Sequence, residues 1–152
     1  MHTTGKHNID TVIKAVEGLE AKADNLSPVF DEIANHLYNV TEEALESNSS
    51  PDGAAWEPLS PFTIKRKGHD RMLDDKGDMR ENITIDSDHE SSTIGTNSLS
   101  EDGYPYPAVQ HFGTDDGRVP ARPFLPFDED GDLMPMASDG IVDLVLAHFE
   151  DE

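Results

Sequence analysis

Apolar residues recur at helical spacing in three stretches of the chain. Ile9, Val12, Ile13, Val16, Leu19 and Ala23 share one face with charged residues between them, which predicts an amphipathic helix over 8–24. Asp24-Asn25 interrupts the pattern, and Ser27-Pro28 restarts it. Ser27 is read as a cap for free N–H groups, with Pro28 at a first helical position where no hydrogen bond is lost. Phe30, Ile33, Leu37, Val40 and Ala44 then carry a stripe to about Leu45. Two helices on a short link predict an α-hairpin over 8–46, each helix needing a partner for its stripe. Near the end, Ile141, Val142, Val145 and Phe149 predict a C-terminal helix over 138–150.

Between the helical stretches the pattern changes. Ser47 to Gly53 is a loop by composition. Ser60-Pro61 has the chemistry of a cap and first helical position and Gly68 that of a stop, so a short helix is expected at 61–67. The β-rich runs 82–87 and 91–96, separated by a polar turn, predict a β-hairpin. Tyr106 to Phe112 reads as a third strand, and Pro120, Pro123 and Pro126 make the following stretch stiff and extended. The expectation is an α+β fold in one domain, 1–152, with the helical hairpin and C-terminal helix packed on a small antiparallel sheet.

Composition narrows the function classes. The 152 residues, 35% hydrophobic, allow a single core of ordinary size. Asp and Glu number 32 against 11 Lys and Arg, a formal charge of −21. That balance argues against a protein that grips nucleic acid by neutralising phosphates, and against attachment to an anionic membrane. No apolar run approaches the roughly 20 residues of a membrane span, and Met1 to Lys6 lacks the apolar stretch of a signal peptide. The absence of cysteine excludes disulfides and thiolate chemistry. Low hydrophobicity with high charge is also the signature of disorder. The amphipathic stretches and the aromatic and proline residues of the second half favour a folded protein adapted to molar salt, where the Debye length of about 3 Å screens carboxylate repulsion. A halophilic host is therefore expected.

Candidate chemistry is sparse. Asp128, Asp130 and Asp132 alternate like the start of a calcium loop, but the sixth and twelfth positions hold Leu133 and Asp139 where Gly and Glu are required. The stretch reads as an acidic turn. No histidine pair has HExxH spacing, no serine sits in G-x-S-x-G, and no Gly-rich phosphate loop is present. His111 reads as a packed structural histidine. Neither a metal nor a cofactor is expected. The one asymmetry is basic: Lys65, Arg66, Lys67, Arg71, Lys76 and Arg80 concentrate six of the eleven cations. They form either a docking surface for an acidic copy or partner, or a solvated face paired locally with Asp70, Asp74 and Asp75.

The order of short motifs carries a resemblance. Trp56-x-Pro58-Leu59-Ser60-x-x-Thr63-x-Lys65 comes first, then Met72-Leu73, Gly77-Asp78-Met79 and Ile83. Ile94-Gly95-Thr96 follows, then Tyr106-Pro107-Ala108-Val109-Gln110-His111-Phe112-Gly113, and last Val119-Pro120-Ala121-Arg122-Pro123-Phe124-Leu125. Residues 53–127 resemble the phage virion morphogenesis family, the tail-completion proteins of Mu-like tailed phages. Departures are Lys76-Gly77-Asp78-Met79 for T-G-x-L, Gln110-His111 for H-Q, and the inserted Pro107.

The resemblance implies a non-enzymatic virion protein, assembled in the host cytoplasm, that finishes the head-proximal end of a tail. Its expected partners are copies of itself in a ring, commonly hexameric, together with the tail tube protein and neck or connector proteins. DNA would pass through without specific binding. A ring uses two different faces of each subunit. Trp56 and Phe124 are the candidate apolar anchors, though core packing serves each equally well. Arg122 is a candidate cationic fork between Ala121 and Pro123. Leu59, Lys65, Arg66, Arg71, Phe112 and Pro120 complete the expected contact set. Rivals are a neck adaptor or stopper, a carboxylate-dependent metal hydrolase, and a monomeric mimic of DNA charge.

Overall fold

A computed structural model describes residues 5–68, 70, 72–73, 78–96 and 102–150. The elements run α1 (Gly5–Asp24), α2 (Ser27–Ser47), α3 (Pro61–Lys67), α4 (Asp78–Glu81), β1 (Ile83–Ser87), β2 (Ser92–Thr96), α5 (Tyr106–Phe112) and α6 (Pro135–Glu150). The fold is α+β.

Helix α2 is the hub because its apolar residues repeat every fourth position. Val29, Ile33, Leu37, Ala44 and Leu45 are buried together with Trp56, Ile83, Ile94, Phe124 and Ala137. Helix α2 meets α6 and both strands. Its single fully buried polar side chain of note, Thr41, donates from Oγ1 to the Leu37 carbonyl at 2.9 Å, so the hydroxyl is satisfied inside the helix. Asn48 ends α2 in the left-handed region, its N–H closing on Ala44. Against α2, α6 comes close at Gly140: a Cβ there would run into the His36 ring, which bonds to the Ala137 carbonyl at 3.2 Å.

The hairpin pairs Ile83 with Thr96, Ile85 with Ile94 and Ser87 with Ser92. Ile83 and Ile94 are buried while Thr84, Asp86 and Thr93 are exposed, as in a one-sided sheet, although Ile85 opposite Ile94 stays exposed. Asp88 builds the turn by accepting the N–H groups of Glu90 and Ser91 at 2.7 and 2.8 Å. Those bonds, Glu90's foremost, lower its pKa. Ser87 donates to the Asp31 carboxylate and Ser92 to the Phe30 carbonyl, fixing the hairpin to α2.

Several expectations need correction. Tyr106–Phe112 is helix α5, not a third strand. Pro107 sits in its first turn, where a missing N–H is harmless, whereas in a strand it would delete a ladder bond. Gly113 ends α5 by donating to Val109. The two N-terminal helices do not pack as an α-hairpin: α1 meets α6, with Lys22 Nζ donating to the Phe149 carbonyl at 3.1 Å and His148 bonding the Lys22 carbonyl at 3.0 Å. The sheet and α6 already occupy α2. Ser27 makes no side-chain cap, since α2 begins behind Leu26 with Pro28 in its first turn. Helix α6 starts at Pro135, earlier than expected, on Met134, whose carbonyl accepts from Ala137 and Ser138.

Candidate assembly surface

Two segments far apart in sequence are stapled side by side. Arg122 donates from Nε and Nη2 to the Glu57 carbonyl at 3.0 and 2.7 Å, and Trp56 Nε1 donates to the Pro123 carbonyl at 3.0 Å. Burial lowers the Arg122 pKa, while the Glu57 carboxylate opposes that shift. Phe124, with no exposed surface, and Trp56 lie in the core behind this staple.

His111 on α5 holds the same segment from the other side. Its Nδ1 accepts the N–H groups of Phe124 and Leu125 at 3.2 and 3.4 Å, so the proton resides on Nε2, which donates to the Phe127 carbonyl at 3.0 Å. Burial pushes its pKa down, and a second proton would displace the Phe124 contact. With both nitrogens engaged in backbone bonds, the ring serves structure.

Between His111 and Arg122 the chain doubles back. Arg122 N–H donates to Gln110 at 2.8 Å and Thr114 N–H to Val119 at 3.0 Å. This hairpin-like return requires Gly113, whose φ is +74° and whose added Cβ would stand 2.8 Å from both the Ala121 nitrogen and the Val119 oxygen. In the intervening loop Asp116 accepts from Thr114 Oγ1 at 2.7 Å and Arg118 N–H at 3.0 Å. The Arg118 bond leads in lowering its pKa.

The staple, the loop and α3 enclose an open groove of about 520 Å³. Ser60 caps α3 at the Thr63 N–H, 3.2 Å away, and Gly68 ends it at φ +83°, so the last turn presents Lys65, Arg66 and Lys67. Arg66, Lys67, Arg118 and Arg122 all line the groove, with Leu59, Pro120 and Glu57 among its other walls. A second, apolar hollow of about 290 Å³ lies among Pro105, Pro107, Phe112 and Phe127, with Phe112 about half exposed.

The expected contact residues thus separate. Leu59, Arg66, Pro120 and Arg122 converge on one groove. Lys65 is exposed on α3 and Phe112 borders the apolar hollow. Trp56 and Phe124 point inward, so in the folded subunit they shape the surface without forming it, and Arg122 is likewise mostly buried. Arg71, with Lys76 and Gly77 of the motifs and Asp74 and Asp75 of the proposed local pairs, lies outside the described residues. Arg80 is engaged by Glu42 of α2 at 3.6 Å. Arg118 also lines the groove and was not among the expected residues, because it lies well beyond the basic run; the Asp115-Asp116-Gly117 turn before it is the only local cue.

A second surface is the outer face of α1. Every residue from Asp10 to Ala21 is exposed, including Val12, Ile13, Val16 and Leu19, which remain 47–60% exposed. Elsewhere, the 128–132 stretch is a closed turn: Asp128 accepts the N–H groups of Asp130 and Asp132, each at 2.9 Å. Among the described residues no group of three or more His, Asp or Glu could hold a metal ion, and no helix is long and apolar enough to cross a membrane.

The described residues thus present outward a basic groove, an apolar hollow and an exposed helix face. The chain belongs to the phage virion morphogenesis family, whose model matches residues 7–150. It is therefore a phage virion protein of a tail family. No curated protein and no solved structure matches it.

Proposed function

We propose that this chain completes the head-proximal end of a phage tail as a ring of identical subunits and joins the tail to the neck, performing no bond chemistry. The observation that carries the reading is α1. A helix in a protein draws most of its stability from packing its apolar face, yet α1, held to α6 near its C-terminal end, leaves Val12, Ile13, Val16 and Leu19 about half exposed. Such a face is an assembly surface awaiting a neighbour. Family membership supplies the setting, a virion under construction. The ring caps the tube by covering edges that would add another layer, and its acidic surface keeps passing DNA from adhering. The acid excess further favours a host with molar internal salt.

In the phage or prophage that encodes the chain, deleting it gives full heads beside unjoined tails of irregular length, and supplying it in trans restores joined particles. Joined particles of normal tail length in its absence would refute the role. Heads that fail to retain DNA, beside tails of normal length, would favour the neck adaptor or stopper.

A further inference from the structure

We propose that the groove between α3 and the 114–122 loop is a carboxylate socket, and that its occupant is the acidic turn 128–132 of a second copy of this chain. The inference rests on the ring reading and specifies which surfaces meet. Four of the eleven Lys and Arg side chains line this one groove (Arg66, Lys67, Arg118 and Arg122), with Glu57 the acid among its walls. In a chain of charge −21, such a concentration is the complement of nearly everything else on the surface. A concave wall focuses that positive field toward an incoming carboxylate. Arg118 is oriented by Asp116, 3.3 Å from its Nε, while its side chain remains 87% exposed at the rim. Arg122 holds the floor through the Glu57 carbonyl.

The turn has the matching chemistry and the rigidity. Asp128 N–H donates to Asp132 at 2.9 Å, Gly131 takes φ +83°, and Phe127 pairs with Leu133 to close the base. Glu129, Asp130 and Asp132 therefore project from a turn already fixed in shape, and little chain entropy is lost on docking. Two other acidic turns serve less well: Asp116 is held by its own Arg118, and Asp88 is engaged by the N–H groups of Glu90 and Ser91. The groove and the turn share no residue, so one copy can engage one neighbour with its groove and another with its turn, the head-to-tail arrangement that the ring reading requires. The α1 face supplies apolar area, and the socket supplies register.

The test is a charge exchange read by sedimentation mass, with circular dichroism showing that each variant folds. Arg66→Glu with Arg118→Glu, and separately Glu129→Lys with Asp130→Lys, should each weaken self-association by at least tenfold. All four changes in one chain should restore it, since the charges again complement. If wild type assembles and either reversed pair assembles as well as it does, the socket is refuted while the ring reading stands. Failure of the fourfold variant to regain association refutes the pairing of this turn with this groove. Reversed variants that form rings yet no longer hold purified tail tubes would also refute it, assigning the groove to another protein. A wild type that stays monomeric at every concentration and salt overturns both readings.

Discussion

Gly113→Ala isolates what the final glycine of the Tyr106–Gly113 motif does. At φ +74° and ψ −172° the backbone occupies a region essentially reserved for glycine, and forcing another residue there costs about 1–3 kcal/mol. The new methyl would also lie 2.8 Å from the Ala121 nitrogen and the Val119 oxygen, both backbone atoms that cannot rotate away. Overpacking of this kind adds about 1–3 kcal/mol, giving a total of about 2–6 kcal/mol against a domain stability of about 5–15 kcal/mol. Gly117→Ala is the control. Its φ is also positive, +73°, but a Cβ there meets nothing within 4 Å, so only a conformational penalty of about 1–2 kcal/mol applies. Urea unfolding of both variants in matched salt measures the difference. The Gly113 variant should unfold at distinctly lower urea than the Gly117 variant, with unchanged m-values. Equal midpoints would refute the claim that close approach of the 119–121 backbone dictates this glycine.

Three further outcomes are expected. Trp56→Phe removes the indole N–H from the Pro123 carbonyl and should destabilise by about 1–3 kcal/mol in urea unfolding; no change would mean that the staple contributes nothing. His111 has a folded pKa below its unfolded value of about 6.5, so the unfolded chain takes up the proton first as pH falls. Its stabilisation is complete above the unfolded pKa and is lost as pH drops toward the folded one, so the stability gap between wild type and His111→Gln should narrow from neutral to mildly acidic pH. A constant gap would remove the neutral-ring assignment. If the acidic surface is an adaptation to brine, thermal melts should rise steeply from about 0.1 M toward molar salt as carboxylate repulsion is screened; a flat midpoint would remove that reading.

Local signals explain which parts of the fold were legible. The α2 stripe, the Ser60-Pro61 and Gly68 punctuation of α3, and the β-branched runs around Ile83 and Ile94 act within a few residues, and each produced its element. Tyr106–Phe112 misled because Tyr, Val and Phe suit a strand equally well. Pro107 was the better guide, but the Arg122 bond to Gln110 that holds α5 in place is not encoded locally. The site divides in the same way. Aromatic and arginine residues anchor cores and interfaces alike, so residue type could not say that Trp56 and Phe124 turn inward while Phe112 turns outward. Arg66 and Arg118 meet only through the fold.

The central claim is that this chain acts by contact between copies, with α1 as the principal adhesive face. Sedimentation equilibrium of wild type beside a Val12→Ser, Val16→Ser, Leu19→Ser variant tests it most directly, because these exposed side chains contribute little to the subunit's own core. The wild type should sediment as a closed oligomer of fixed mass and the variant as a monomer with an unchanged unfolding midpoint. A wild type and a variant of the same mass, whether both monomeric or both assembled, would contradict the claim.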